Sequence, residues 1–203
     1  MRRAAVLISA AALSLGAISL VAPSASANVS CGTRDCTTPW GAVVSSGMGM
    51  TTFRVNYDSW HAMSRAGIGL YGGDPAGGTL VSPGRPAMEI PVKALKGGVA
   101  THDGTLTLLR ADSMYFRTVV LDNIVFDFGK KKVTSRVYAT DTDLGIKTMF
   151  TLAHVKVDSG MYDFTLKLTA DGAATLNSSL NVTVFAAGLR VGSGMTMAMP
   201  PTS

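Results

Sequence analysis

Tyr162-Asp163-Phe164-Thr165-Leu166-Lys167-Leu168-Thr169 alternates large apolar side chains with polar ones. On a pleated strand, successive side chains point to opposite faces, so Tyr162, Phe164, Leu166 and Leu168 share one face while Asp163, Thr165, Lys167 and Thr169 share the other. That pattern predicts a half-buried antiparallel strand. The same period recurs upstream, where Val133, Ser135, Val137 and Ala139 alternate with Thr134, Arg136, Tyr138 and Thr140. Further strands are expected over Thr51 to Tyr57, Met88 to Ala94, Thr105 to Arg110, Tyr115 to Leu121, Ile124 to Phe128, Ile146 to Val157 and Val191 to Met199. Asp122-Asn123, Gly129 with its lysines, and Asp158-Ser159-Gly160 read as the turns between them. Gly72 to Gly84, with Pro75, Gly77, Gly78 and Pro83, reads as a turn-rich loop. Asp171 to Leu180 differs: a capping aspartate and apolar residues at 173, 176 and 180 fit a short helix. The expected fold is therefore all-β, a single antiparallel β-sandwich or open barrel with one short helix near the C-terminal part.

The ends of the chain set its compartment. Arg2 and Arg3 precede an uncharged apolar stretch from Ala4 to about Val21, then Pro23 and the small residues Ala25-Ser26-Ala27. This is the n, h and c order of a cleavable secretory signal peptide over 1-27, leaving a single β-rich domain over 28-203. A secreted or cell-envelope location follows, with no membrane span after cleavage and any attachment to the envelope made through a partner protein. Cys31 and Cys36 are the only cysteines. In an oxidising compartment their spacing favours a structural disulfide that pins the segment 28-40. The formal charge of +5 falls to about +3 once Arg2 and Arg3 leave. That is too little, and too scattered, for a nucleic-acid partner. Lys130-Lys131-Lys132, the densest basic run, reads as a solvated hairpin turn.

Signatures of catalysis are missing: the chain has no G-x-S-x-G elbow, S-x-x-K pair, H-E-x-x-H helix or phosphate-cradling glycine loop. A binding domain is expected rather than an enzyme, with a hydrolase assembled from scattered Ser, His and Asp residues as a remote alternative. Of the three histidines, His154 falls on the Phe150 and Leu152 face of its strand and reads as partly buried, and His61 reads as a loop or strand-end residue. His102 leads into a turn and then a strand. Met195, Met197 and Met199 alternate, and Met48 and Met50 repeat the spacing. Thioethers on one strand face suit Cu(I), although methionine serves equally as adaptable apolar filler.

Four pieces of sequence, taken in order, resemble a known family. They are Trp40-Gly41, then Phe53-Arg54 with Tyr57, then Thr101-His102-Asp103-Gly104-Thr105-Leu106, and last Asp171-Gly172-Ala173 followed by Phe185-Ala186-Ala187-Gly188. Together they are similar to the HtaA-type domain, a bacterial cell-envelope module of haem uptake. The resemblance implies a haem cofactor, Tyr57 as the oxygen ligand to iron, and His102 as the histidine that supports it. It also implies haem, or a haem-carrying protein, as the partner. Where the family sets a tyrosine two residues after the arginine, this chain has Asn56 and then Tyr57. The alternative is a non-catalytic extracellular interaction domain that keeps the fold without the cofactor.

Overall fold

The computed structural model describes residues 30–31, 35–37, 43–45, 49–73, 76–81, 85–111 and 115–198. The expected signal peptide, Met48 and Met199 lie outside them. In chain order the elements are β1 (Ser30–Cys31), β2 (Asp35–Thr37), β3 (Val43–Ser45), β4 (Gly49–Val55), α1 (Tyr57–Arg65), β5 (Ile68–Gly73), β6 (Gly77–Val81) and β7 (Arg85–Lys96). They continue with β8 (Val99–His102), β9 (Thr105–Ala111), β10 (Phe116–Asp127), β11 (Lys132–Ala139), β12 (Thr142–Asp158), β13 (Met161–Leu168), α2 (Ala170–Leu180) and β14 (Arg190–Ala198).

The all-β antiparallel architecture stands as expected, and its strands close into a ring. Hydrogen bonding runs β11-β12-β13-β14-β4-β7-β8-β10, and β10 returns to β11, so eight strands close a barrel. Two long strands make the closure possible. The outer part of β10 pairs with β9, which carries β5 beyond it, while its inner part pairs with β8. In the same way β7 pairs with β4 and β6 through its first half and with β8 through its second, across a bulge between Val92 and Ala94. The segments β1 to β3 form a separate three-stranded sheet. Its register sets Cys31 opposite Cys36, the backbone placement that the expected disulfide requires; the two side chains lie outside what is described.

β13 follows its alternation except at Thr165, which is buried although it stands on the polar face. Phe164, Leu166 and Leu168 of β13 point into the barrel and Asp163 points to solvent. Phe126 sits at the middle of the interior, with ring centroids 4.9 Å from His102, 5.2 Å from Phe164 and 6.1 Å from Phe128. Phe128 in turn stacks on Tyr162 at 4.3 Å. Burial of such side chains is the main favourable term of the fold, each worth about 1.5–3 kcal/mol relative to exposure.

The helix expected over Asp171 to Leu180 is α2, and its cap is Thr169 rather than Asp171. The Thr169 hydroxyl accepts the Gly172 N–H at 2.8 Å and donates to the Thr148 carbonyl at 2.7 Å, tying the helix start to β12. Gly172 has a steric reason: a Cβ there would collide with the Met149 carbonyl oxygen. Ala173, Leu176 and Leu180 then reach the core. Asn177 brackets the chain that follows, donating to the Phe185 carbonyl at 2.7 Å and accepting the Phe185 N–H at 3.1 Å.

Four expectations are corrected. Tyr57 does not end a strand; it opens a second helix, α1, after Asn56 in an extended conformation. The loop expected over Gly72 to Gly84 holds the end of β5 and all of β6. Asp122-Asn123 does not turn the chain, because β10 runs through it as a bulge, with Asn123 at φ 48° and its N–H donated to the Asp122 carboxylate at 2.7 Å. His154 is exposed, because a bulge between Ala153 and Lys156 puts it at φ 51° and removes it from the Phe150 and Leu152 face.

Candidate functional site

His102 is held in the barrel wall, where it is only 4% exposed. Its Nδ1 lies 3.0 Å from the Ile124 carbonyl, which can only accept, so Nδ1 carries the proton and donates. Nε2 must then accept, and the Thr51 hydroxyl 2.6 Å away donates to it. Thr51 in turn accepts from the Thr196 hydroxyl at 2.6 Å. The chain of hydrogen bonds therefore runs from β14 through β4 and β8 to β10, and every buried polar group in it is satisfied. Burial holds the imidazole pKa down at about 4, against the smaller opposing effects of the Ile124 hydrogen bond and the Asp103 charge. His102 is thus a neutral structural crosslink with both nitrogens engaged.

Tyr57 stands elsewhere. As the first residue of α1 it is 49% exposed, on the outside of the barrel, and the ring beside it is His61, one helical turn on, with centroids 5.7 Å apart. The sequence-derived pair Tyr57 and His102 is not brought together: neither His102 nitrogen is directed at the phenol.

Two spaces are candidates for a ligand. Inside the barrel, Phe53, Met63, Leu106, Phe126, Phe150 and Leu176 are among the residues around an apolar cavity of about 50 Å³. Ligand pockets for drug-sized molecules span roughly 300–1,000 Å³, so the interior is too full for one. The second space is a polar recess of about 340 Å³ where β4 ends and β14 begins, lined by Arg54, Val55, Asn56, Arg190, Gly192 and Ser193. It adjoins the N-terminal end of α1, whose Asn56 makes no side-chain cap. Two local contacts fix that end: the Asn56 N–H donates to the Val191 carbonyl at 2.7 Å, and the Ser59 hydroxyl donates to the Arg190 carbonyl at 2.6 Å. Gly192 is required where the strands meet, since a Cβ would strike the Arg54 carbonyl oxygen. The result is a concavity lined by two arginines, an asparagine and a serine, and the chain leaves it at Asn56 to enter α1 at Tyr57.

The barrel has a solved counterpart. It is the crystal structure of the C-terminal domain of HtaA from Corynebacterium glutamicum, with a TM-score of 0.51 over 75% of this chain and 98% of that domain. The identity is 10%, so the likeness is one of fold. No protein-family model and no curated protein matches the chain.

Arg54 is part of the quoted Phe53-Arg54 motif, but Arg190, Ser193 and His61 carried no signal as site residues. Arg190 and Ser193 lie far along the chain from Arg54, and only the β4–β14 register, which pairs Ser193 with Arg54, sets them together. Among the described residues no helix is long and apolar enough to cross a membrane.

Proposed function

We propose that this chain is an exported haem-binding domain, and that its site is the outer end of α1 rather than the barrel interior. The observation that carries the reading is a half-exposed tyrosine one residue along the chain from Asn56, which lines a two-arginine recess on a barrel whose fold resembles an HtaA domain. The donor set fits the group. A phenolate oxygen is a known haem-iron ligand and two guanidinium groups suit the paired carboxylates of the porphyrin edge. Tyr57 would hold the iron, and His61, a turn away on the same helix face, is placed to support the phenolate charge. Arg54 and Arg190, with Ser193, would hold the carboxylates. His102 takes a different part: it keeps β4, β8, β10 and β14 in register, and so fixes the strand from which Tyr57 emerges. Bound haem would supply its iron centre as cargo for transfer, so binding and release are the function and no catalytic step is required.

The test is a hemin titration followed by the visible spectrum. Wild type should give a saturable Soret band with the charge-transfer features of tyrosinate ligation, and Tyr57→Phe, which keeps the ring, should lose those features. An unchanged band in Tyr57→Phe would overturn the assignment of the ligand. No saturable binding by the wild type would favour the alternative, an extracellular interaction domain that keeps the fold without the cofactor.

A further inference from the structure

The methionines left over from the core point to a second ligand. Strand register places Met161 of β13 opposite Met197 of β14, and Met197 opposite Met50 of β4, so three thioethers form one row across three adjacent strands. Directly opposed residues in antiparallel strands have Cα atoms about 4.5–5.5 Å apart, close enough for three flexible side chains to converge. Met195 stands two residues from Met197 on the same face of β14, with Asp163 opposite it on β13.

That face is the outer one. Thr51 and Thr196 point inward to His102, so their strand neighbours Met50, Met195 and Met197 point outward. Met161, Met195 and Met197 are only half-buried, and Met50, though buried, stands outside the main core cluster that holds Met63, Met88 and Met149. The positions that continue this face along β13, β14 and β4 are polar, namely Asp163, Thr52, Ser193 and Arg54, while Pro91 of β7 closes the row beside Met50. Filling the barrel interior is therefore not what Met161, Met195 and Met197 provide. Met50 is buried and Met161, Met195 and Met197 are half-buried, which shields the sulfur atoms from bulk water while leaving the row reachable.

We infer that this row is a binding site for a soft monovalent cation, Cu(I) being the natural candidate, with Met50, Met161 and Met197 as thioether ligands and Met195 beside them. Thioethers are neutral, polarisable donors that favour Cu(I) over the harder divalent ions, and they hold it without a proton to release. The site is independent of the Tyr57 recess, which begins further along the same two strands at Arg54 and Arg190.

The experiment is a competition titration of the full chain with Cu(I) against a chromogenic Cu(I) chelator, under ascorbate, with Met161→Leu/Met197→Leu as the comparator. Leucine keeps volume and apolarity, and the cysteine pair is common to both proteins, so a difference between them belongs to the thioethers. Thermal melts should agree within a few degrees, and Met149→Leu, in the core, serves as a control for methionine loss in general. We expect one Cu(I) per wild-type chain and at least a tenfold weaker affinity in the double variant, with hemin titration the same in both. Equal Cu(I) affinity in the wild type and the double variant, or no competition by the wild type, would overturn the site.

Discussion

Acidification from pH 7 to pH 4 isolates His102. In the folded chain its pKa is held at about 4, against 6.5 for the free side chain, first by burial. The unfolded chain therefore binds a proton between those values that the folded chain refuses. Stability contributed by the neutral imidazole is fully present above about pH 6.5 and is lost as the pH falls toward 4. At about 1.4 kcal/mol per unit the loss is roughly 3 kcal/mol, a large share of a typical domain's stability. The geometry explains the penalty: a protonated Nε2 would face the Thr51 hydroxyl proton, and Thr51 could no longer donate to it while accepting from Thr196. Asp103, whose charge opposes the shift, is half-buried and paired with Lys93 at 3.4 Å. Urea unfolding at a series of pH values should show wild type losing about 3 kcal/mol more than His102→Gln across this window. Parallel pH profiles in the two proteins would refute the buried, neutral histidine.

Three further outcomes follow from the packing. Ser135 is 2% exposed and its hydroxyl has no hydrogen-bond partner among the described residues, so Ser135→Ala should raise stability by about 1 kcal/mol in urea unfolding. Gly172→Ala forces α2 away from the Met149 carbonyl and should destabilise by about 1–3 kcal/mol, despite alanine's better helix propensity. Arg136 and Asp143 form an exposed ion pair at 2.5 Å; a double-mutant cycle should find a coupling below about 1 kcal/mol that disappears at high salt.

Strand periodicity made the barrel legible wherever one face is buried, as in β11 and β13, because alternation there records burial directly. It failed where a single residue broke the period. His154 and Asn123 sit in bulges at positive φ, and neither glycine nor proline marks them. Thr140 and Asp141 turn β11 into β12 at φ 38° and 69°, again without glycine. The first helix was hidden because only Ser59 and Met63 are fully buried along it, too sparse a stripe to outweigh the strand-like run before it. Of the candidate site, Tyr57 and Arg54 are visible in the sequence; the helix after β13 is visible too, with Thr169 rather than Asp171 as its cap. For His102, sequence shows that it precedes a turn and not that its two nitrogens reach Thr51 and Ile124 across the barrel. Arg190 and Ser193 become neighbours of Arg54 only through strand register.

The central claim is that haem seats on the outer end of α1 and not against His102. It is tested most directly by hemin affinity in Arg54→Ala/Arg190→Ala and in His102→Gln, each measured against wild type at neutral pH, with the folding of both variants checked by circular dichroism. We expect the arginine pair to weaken binding by at least tenfold, equivalent to about 1.4 kcal/mol, and His102→Gln to leave both affinity and spectrum close to wild type. The reverse pattern, with full binding by the arginine variant and loss in folded His102→Gln, would contradict the placement.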